Sequence, residues 1–560
     1  MSRRPPQPAA AAVFAAALAA VAVALVCGAL LWPLPIQLGE SYAPSAFGAA
    51  HAWGFDHLWQ AITGRALTPT AAVGYPWLRE ARFIGWVPAA LSWPLRPLLG
   101  PLGAAQAVML LSPALSALAM WPLVRRWTDA GPWIRAAACV IYGLSPFLLG
   151  TLAIGETPKL QAWCFPLFLL AMDHALTGAL RARLAGLAAL LLLGVATSFT
   201  SPYFGLALPL LAGAGALWSW RRPDRAALLL IAVAVSLLPA FFYYRGSEQQ
   251  LMGQIFQPAM AVASGTVATP HPVATVKGLL LGDTQPWRGP WEGRHVYYLG
   301  TPLLLGLLGL SLWKRAPARG RGAALALIVV ATALAMGPRL VVGEVITGVP
   351  LPAMLLEWAG YPYATGGMYF RLVVLASLGC ALWLAAEGAR RPWIVGLLAL
   401  VQVGDAVRAS APWPRPVVPV PALAVLEELR GGEGAVVYLP LQEGPSLVTG
   451  QRALLAAAVH GRPTNALPRD LLKMEVPGNR KFWVRTLGSS RPDVSLPARG
   501  ISVVVMDLEA AGGRPPPPGW LEPVPDWTRT LGEPDYEGEG LLIWRFKDAA
   551  PEPRSVGGLR

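Results

Sequence analysis

Four short stretches of this chain bring together side chains whose types can support chemistry. They contain carboxylates, imidazoles and fixed cations close to apolar runs. The candidate residues are Asp56 and His57, Glu156, Lys159 and Gln161, Arg294 and His295, and Tyr369 and Arg371. A carboxylate in a dry site can act as a general base or bind a divalent cation. An Arg guanidinium can bind a phosphate group through two parallel hydrogen bonds.

Most of these stretches also have a purely structural interpretation. Asp56 could be a solvated loop residue, and the Trp and Tyr residues around it could form an aromatic belt at a membrane interface. Glu156 and Lys159 could form a surface pair at the end of a helix. Arg371 could anchor a lipid headgroup. The residue types alone therefore leave the role of each stretch open.

The sequence lacks the motifs of several common enzyme classes. It contains no P-loop, no GxGxxG after a strand, no HExxH and no GxSxG, so nucleotide-driven and triad chemistry have no support. Its four cysteines, Cys27, Cys139, Cys164 and Cys380, all lie in apolar runs. The extramembrane segments therefore offer neither a disulfide framework nor a thiolate zinc site.

The composition indicates a membrane protein. The 560-residue chain is 55% hydrophobic and only 14% charged, whereas a soluble domain carries about 25% charged residues. Long uncharged runs recur up to about residue 410, and each is long enough to cross a bilayer as a helix. We therefore predict a mainly α, polytopic helical membrane protein.

Hydropathy predicts about eleven transmembrane helices. The predicted spans are 9–32, 103–124, 133–153, 160–178, 184–201, 203–220, 225–244, 297–313, 322–340, 367–386 and 392–409. The first run is longer than the roughly 7–15 apolar residues of a signal-peptide core, so we interpret it as an uncleaved span.

The distribution of basic residues predicts the orientation in the membrane. The N-terminus and alternate connections between spans carry 16 Lys and Arg residues against three acidic residues, or four if Asp173 is counted. This face is cytoplasmic by the positive-inside rule, and it accounts for most of the net charge of +14 without nucleic-acid binding. The N-terminus is then cytoplasmic, and the loops 34–102, 245–296 and 338–366 lie outside with the C-terminus.

Residues 412–560 have the composition of a small α/β domain. Runs rich in Val, Ile and Leu predict buried strands at 434–441, 501–506 and 541–546, and apolar spacing predicts a helix at 421–430. We therefore predict a transmembrane domain over residues 1–411 and an extracytoplasmic domain over residues 412–560.

The placement of these motifs resembles the GT-C superfamily of polytopic membrane glycosyltransferases. It is most similar to bacterial GT-C-like membrane proteins related to the YfhO family. The matching features are Asp56 in the first outer loop, Tyr142-Gly143-Leu144-Ser145-Pro146-Phe147, Gly155-Glu156 with Lys159-Leu160-Gln161 and Trp163, Pro166-Leu167, Thr200-Ser201-Pro202-Tyr203, Tyr369-Phe370-Arg371, residues 436–441 and His460-Gly461-Arg462-Pro463. GT-C enzymes usually take a sugar from a polyprenyl-phosphate donor at the outer face and use a first-loop carboxylate as base or metal ligand. The resemblance carries that role to Asp56.

The resemblance implies a glycosyltransferase of the bacterial inner membrane. The sugar would pass from a polyprenyl-phosphate-linked donor to an envelope glycan, lipid or protein. We predict Asp56 and Glu156 as catalytic residues, and His57, Lys159, Gln161, Arg294, His295, Tyr369 and Arg371 as substrate-binding residues. A divalent cation, Mg²⁺ or Mn²⁺, is an alternative to a cofactor-free reaction, with Asp56 as its candidate ligand.

Two other functions fit the sequence. The first is a non-catalytic, GT-C-like envelope assembly protein whose outer domain binds a partner. The second is a lipid or glycan transporter, which predicts charged or broken helices at mid-membrane. The centres of the predicted spans are almost free of charge, which weighs against the transporter. In every case membrane lipids are partners and nucleic acid is not.

Overall fold

The computed structural model of this chain is mostly helical. It describes residues 9–43, 48–64, 85–242, 276–281, 298–312, 320–342, 345–355, 369–388, 392–410, 413, 417–430, 432–439, 447–462, 464, 492–508 and 531–546. The helices are α1 (Ala9–Leu30), α2 (Gly48–Ile62), α3 (Trp86–Ser92), α4 (Arg96–Trp127), α5 (Pro132–Gly143), α6 (Pro146–Ala153), α7 (Cys164–Thr177), α8 (Leu180–Thr200), α9 (Pro202–Trp218), α10 (Pro223–Phe242), α11 (Val276–Leu281), α12 (Thr301–Leu312), α13 (Arg321–Ala335), α14 (Val373–Gly388), α15 (Pro392–Ala409), α16 (Leu423–Glu428), α17 (Leu447–His460) and α18 (Pro492–Ser495).

Each of the eleven predicted spans overlaps at least one of these helices. Within the described residues, seven helical segments are long and apolar enough to cross a membrane, and shorter apolar helices lie at the four remaining spans. The prediction of a mainly helical, multi-pass membrane protein is confirmed.

Several helix boundaries differ from the predicted spans for local reasons. The span at 133–153 is two helices, because Pro146 begins a new helix after α5 has ended at Gly143. The span at 322–340 ends early, at Ala335. The positive φ of Gly337 and the following Pro338 stop the helix there.

Two short strand pairs and one larger sheet complete the described fold. The strands are β1 (Ser41–Tyr42), β2 (Arg339–Val342), β3 (Val345–Pro350), β4 (Val418–Pro419), β5 (Ala435–Leu439), β6 (Ile501–Asp507), β7 (Tyr536–Gly538) and β8 (Leu541–Arg545). β1 pairs with β4, and β2 pairs with β3, both in antiparallel fashion. The β2–β3 hairpin lies in the predicted loop 338–366.

The contacts divide the chain into two compact units. The first comprises Met1–Ile36, Ile84–Pro88 and Ala107–Pro416, and the second comprises Gln37–Phe83, Ala89–Gln106 and Val417–Arg560. The second unit thus includes segments of the first predicted outer loop as well as the C-terminal residues.

The first unit is built around α14. Every residue from Tyr369 to Gly388 is buried, because α5, α6, α12, α13 and α15 pack around this helix. The segment carries two charged side chains, Arg371 and Glu387. A buried charge is costly unless it is paired, so both residues require partners.

The second unit contains a four-stranded sheet in the order β5-β6-β8-β7. β5 and β6 are parallel, and β8 is antiparallel to both of its neighbours. The strands predicted at 434–441, 501–506 and 541–546 are confirmed as β5, β6 and β8. In the same unit α2, from the first predicted outer loop, packs against α17.

Candidate functional site

A tight turn in the first unit presents Glu156 and Lys159. The helix α6 ends at Ala153, and Gly155 adopts φ +68°, a conformation that favours glycine. The chain then forms a short 3₁₀ helix, Thr157–Leu160, with Pro158 in its first turn. A hydrogen bond of 3.1 Å from the Glu156 amide to the Thr151 carbonyl closes the turn.

Buried polar groups fix the base of this turn. The Tyr142 hydroxyl donates to the Ala162 carbonyl at 2.8 Å. The Gln161 amide nitrogen donates to the Ser112 hydroxyl at 2.6 Å and to the Thr157 carbonyl at 3.1 Å, and its oxygen accepts from the Trp163 indole at 2.8 Å. Gln161 therefore holds the turn in place, and its predicted contact with substrate stays a prediction.

Glu156, Lys159 and Arg371 form one buried charged cluster. Lys159 Nζ forms an ion pair with Glu156 Oε1. Arg371 Nη2 lies 3.5 Å from the same oxygen, although Arg371 is 215 positions further along the chain. The three side chains are each less than a tenth exposed. Within the described part of the chain, two cations thus share one carboxylate in a site that is almost free of solvent.

Tyr203, at the start of α9, packs against both cations. The centre of the Arg371 guanidinium lies 3.8 Å from the Tyr203 ring centroid, and Lys159 Nζ lies 5.2 Å from it. Phe370 is a second ring near the guanidinium, at 5.8 Å. Cations at these distances interact favourably with the face of an aromatic ring.

The Arg371 guanidinium has unused hydrogen-bonding capacity. Arg371 Nε and Nη1 are both buried and have no hydrogen-bond partner among the described residues. A buried donor that is left without a partner costs about 1–3 kcal/mol, and more when it is charged. Such a group in a native protein calls for an explanation, and a bound anion supplies one.

A small pocket adjoins the charged cluster. About 240 Å³ of space lies between the atoms here, a volume that includes open solvent. The walls of the pocket are Phe147, Gly150, Thr151, Ile154, Glu156, Lys159, Phe370 and Arg371. An apolar wall with a few converging polar groups is typical of ligand sites.

Asp56 lies in the second unit, within a different charged cluster. Its side chain is 1% exposed, and its Oδ1 accepts from Arg96 Nη2 at 2.5 Å. Its Oδ2 accepts from Gln60 Nε2 at 2.5 Å. Arg430 Nη1 lies 3.8 Å from Oδ1. Both oxygens of the carboxylate are therefore engaged by side chains of the same unit.

The other predicted site residues differ in how far the structure describes them. His57 is buried in α2, and its ring stacks on Trp53 with 5.6 Å between centroids. Tyr369 is buried in the 3₁₀ turn that also carries Arg371. Arg294 and His295 lie outside the described residues. The structure therefore brings Glu156, Lys159, Tyr369 and Arg371 into one unit with Gln161, and Asp56 and His57 into the other.

The surroundings of Asp56 do not suit a divalent cation. No group of three or more His, Cys, Asp or Glu side chains within the described part of the chain is arranged to hold a metal ion. Mg²⁺ and Mn²⁺ require several oxygen ligands, whereas here one carboxylate faces two guanidinium groups. Metal dependence stays a prediction from the sequence.

Four residues of these clusters are not singled out by sequence reasoning. Tyr203 stands out only as part of the motif Thr200-Ser201-Pro202-Tyr203, and Arg96 and Arg430 do not stand out at all. A sequence signal exists for Gln60 alone, since it follows Asp56 by one helical turn and such pairs interact. The other contacts join positions far apart in sequence, which no local pattern reveals.

A comparison with solved structures finds matches that cover most of this chain. An oligosaccharyltransferase from Archaeoglobus fulgidus in the apo form matches with 13% identity and a TM-score of 0.42, covering 89% of this chain and 70% of that chain. ArnT from Cupriavidus metallidurans in the apo state matches with 13% identity and a TM-score of 0.41, covering 97% of this chain and 100% of that one.

A second structure of the same ArnT was determined with bound undecaprenyl phosphate. It matches with 13% identity and a TM-score of 0.41, covering 94% of this chain and 97% of that chain. At these values the likeness establishes no shared activity.

The sequence itself has one family assignment. A search of curated proteins finds no match. The family model described as "Domain of unknown function (DUF6311)" matches residues 87–407, which is more than half of the chain. The matched region includes Glu156, Lys159, Tyr203 and Arg371 and excludes Asp56. This chain therefore belongs to the DUF6311 family.

Proposed function

We propose that this protein is a membrane glycosyltransferase whose donor is a sugar linked to a polyprenyl phosphate. The observation that carries the proposal is the buried Arg371 guanidinium. Two of its nitrogens have no partner among the described residues, and it lies beside Lys159 at a pocket. The acceptor would be an envelope glycan, lipid or protein.

The charges of the cluster favour a phosphate over a neutral ligand. Lys159 and Arg371 contribute two positive charges, and Glu156 contributes one negative charge. Among the ion pairs of this cluster that the described residues form, the cations exceed the carboxylate by one positive charge. The site is nearly closed to solvent, where electrostatic interactions are strong. A phosphodiester carries the single negative charge that would balance the extra positive charge.

The same cations would assist the departure of the leaving group. In the proposed reaction the bond between the sugar anomeric carbon and the phosphate oxygen breaks, and a bond from that carbon to the acceptor oxygen forms. The acceptor proton passes to a carboxylate. The polyprenyl phosphate leaves as a monoester with one more negative charge than it had as a diester, and Arg371 and Lys159 would stabilise that added charge.

Asp56 and Glu156 are the two proposed catalytic carboxylates. For Asp56 to take the acceptor proton, the acceptor hydroxyl would have to replace Gln60 at Oδ2. Glu156 would bind sugar hydroxyls or assist Asp56, since it already pairs with both Lys159 and Arg371. Loss of a positioned base lowers a rate by about 10²–10⁴, so Asp56→Asn should reduce transfer by that factor if the assignment is correct.

The location of the reaction is also part of the proposal. The basic residues on alternate connections support an N-terminus in the cytoplasm of a bacterium and a C-terminal region outside the inner membrane. Reporter fusions test this directly. Fusions after Arg126 and Arg222 should report the cytoplasm, and a fusion after Gly432 should report the outside. A cytoplasmic signal at Gly432 would contradict an outer-face reaction.

The lipid-linked sugars of a deletion strain test the activity whatever sugar the donor carries. We expect one such lipid to accumulate without the protein and to return to its normal level with the wild-type chain. Arg371→Lys keeps the positive charge but loses the planar guanidinium, which can donate two parallel hydrogen bonds to a phosphate. Because a charged hydrogen bond contributes about 1.5–3 kcal/mol, this variant should transfer about 10- to 100-fold more slowly.

Arg221→Lys is the matched control, since Arg221 is exposed and also lies beside an aromatic ring, that of Trp220. Expression of Arg221→Lys in the deletion strain should return the lipid-linked sugar to its normal level. If no lipid-linked sugar accumulates in the deletion strain although the purified protein binds undecaprenyl phosphate, the chain is the non-catalytic assembly protein instead.

A further inference from the structure

Tyr203 contacts both cations of the cluster with one ring. The ring centroid lies 3.8 Å from the Arg371 guanidinium carbon and 5.2 Å from Lys159 Nζ. Tyr203 is the second residue of α9, and Arg371 and Lys159 come from two separate 3₁₀ turns. Three parts of the first unit thus meet at this side chain.

We propose that Tyr203 is a positioning residue that holds Arg371 and Lys159 ready for a single phosphate group. The inference rests on the proposed function, because it concerns the same phosphate-bearing lipid. Two like charges that share one carboxylate repel each other, and the electron-rich face of an aromatic ring offsets part of that repulsion.

The stacking also explains why donors of Arg371 remain available. All N–H groups of a guanidinium point outward in its plane. A ring that packs on the face of the group fixes its position without using a donor. Nη2 is directed at Glu156, while Nε and Nη1 have no partner in the described part of the chain. Tyr203 therefore restrains the guanidinium and leaves these two nitrogens for the ligand.

The neighbouring residue Phe204 serves as the control for ordinary aromatic packing. Phe204 is fully buried, and its ring packs on Phe165 with 4.8 Å between centroids. It lies in the same turn of α9 as Tyr203, yet its ring contacts no cation within the described residues. Replacement of either residue by Leu removes a ring from this turn, but only Tyr203→Leu removes the ring under the two cations.

The test is the binding of undecaprenyl phosphate to the purified full-length protein in detergent. Undecaprenol, which lacks the phosphate, measures the contribution of the lipid chain. We expect Tyr203→Leu to weaken undecaprenyl phosphate binding about tenfold, with no change for undecaprenol. Tyr203→Phe, which keeps the ring, and Phe204→Leu should both stay within about threefold of wild type. If Tyr203→Leu does not purify as a folded protein, Tyr203→Met replaces it.

The outcomes separate this inference from the proposed function. If Arg371→Ala binds undecaprenyl phosphate as tightly as wild type, the proposed function fails. If Arg371→Ala loses binding but Tyr203→Leu does not, only the positioning role of Tyr203 is overturned. It is also overturned if Tyr203→Phe weakens binding as much as Tyr203→Leu, because the hydroxyl would then matter and the ring would not.

Discussion

The two units each contain a buried charged cluster, but the clusters differ in how completely they are satisfied. Around Glu156, two cations share one carboxylate, and Arg371 has two nitrogens without partners among the described residues. Around Asp56, two guanidinium groups also share one carboxylate, but both of its oxygens accept short hydrogen bonds, from Arg96 and Gln60. Burial alone thus does not identify a ligand site. The unused capacity of buried groups distinguishes the first cluster from the second.

The contacts of the Asp56 cluster also explain why it can stabilise its unit. Arg430 approaches Asp56 Oδ1 and also donates to the carbonyls of Ala458 and Val459 at the end of α17. Gly461 packs against Gln60. The cluster therefore joins α2 to the C-terminal part of the second unit. A base role for Asp56 would have to coexist with this structural one.

The largest expected effect is a loss of thermal stability in two variants, Glu156→Gln and Asp56→Asn. Each variant removes one partner of a buried ion pair, which typically costs about 3–5 kcal/mol, so both should lower the midpoint of thermal unfolding. Undecaprenyl phosphate should raise the midpoint of Glu156→Gln by more than that of wild type, because it would replace the missing negative charge and a ligand stabilises the state that binds it. For Asp56→Asn the increase should equal that of wild type. Equal increases in all three proteins would remove the distinction between the clusters.

A pH-dependent loss of stability should come from the second unit. Burial, then Arg462 and Arg430, lower the pKa of His460 from its ordinary 6.5 to about 3. In the unfolded chain His460 therefore becomes protonated near pH 6.5. In the folded chain it becomes protonated only near pH 3. Stability from this residue is complete above pH 6.5 and falls as the pH drops toward 3, by about 1.4 kcal/mol per unit.

The control for this prediction is His460→Gln. The variant should be less stable at pH 7, because the His460 ring contacts the Tyr438 hydroxyl at 2.9 Å and accepts from the Arg462 amide at 3.0 Å. Its unfolding midpoint should depend less on pH between 7 and 5 than that of wild type. Identical slopes for the two proteins would show that other groups account for the acid sensitivity.

The smallest expected effect concerns Gly461. This residue has φ +69°, and an added Cβ would lie 2.5 Å from Gln60 Nε2. Gly461→Ala should therefore destabilise the protein by about 1–3 kcal/mol and leave undecaprenyl phosphate binding unchanged. Gly404→Ala is the control, because nothing lies within 4 Å of its added methyl group and Ala favours a helix. A Gly461→Ala protein as stable as Gly404→Ala would mean that Gln60 can move away at little cost.

Local sequence patterns predicted the elements of the fold. Runs of apolar residues identified the helices, and short Val-rich runs identified β5, β6 and β8. Both kinds of element depend on the character of a few consecutive residues. The breaks at Pro146 and at Gly337-Pro338 are visible in the sequence but fall inside longer predicted spans, because hydropathy averages across them.

The candidate site could be predicted only in part. Glu156, Lys159 and Arg371 stand out because a charge inside or beside an apolar run is unusual. Their common site could not be derived, since Arg371 and Glu156 meet through tertiary packing around α14. Tyr203 carries no charge, so composition gives no reason to single it out. The partners of Asp56 escape prediction because Arg96 and Arg430 lie 40 and 374 positions from it.

The most direct test of phosphate binding at the Glu156 cluster compares two buried arginines, one from each cluster. Arg371→Gln and Arg96→Gln both replace a guanidinium that pairs with a buried carboxylate. The measurement is the fraction of purified protein that carries undecaprenyl phosphate in native mass spectrometry. We expect Arg371→Gln to lose the lipid and Arg96→Gln to retain it at the wild-type level. Retention of the lipid by Arg371→Gln at the wild-type level would contradict the assignment of the phosphate to the Glu156 cluster.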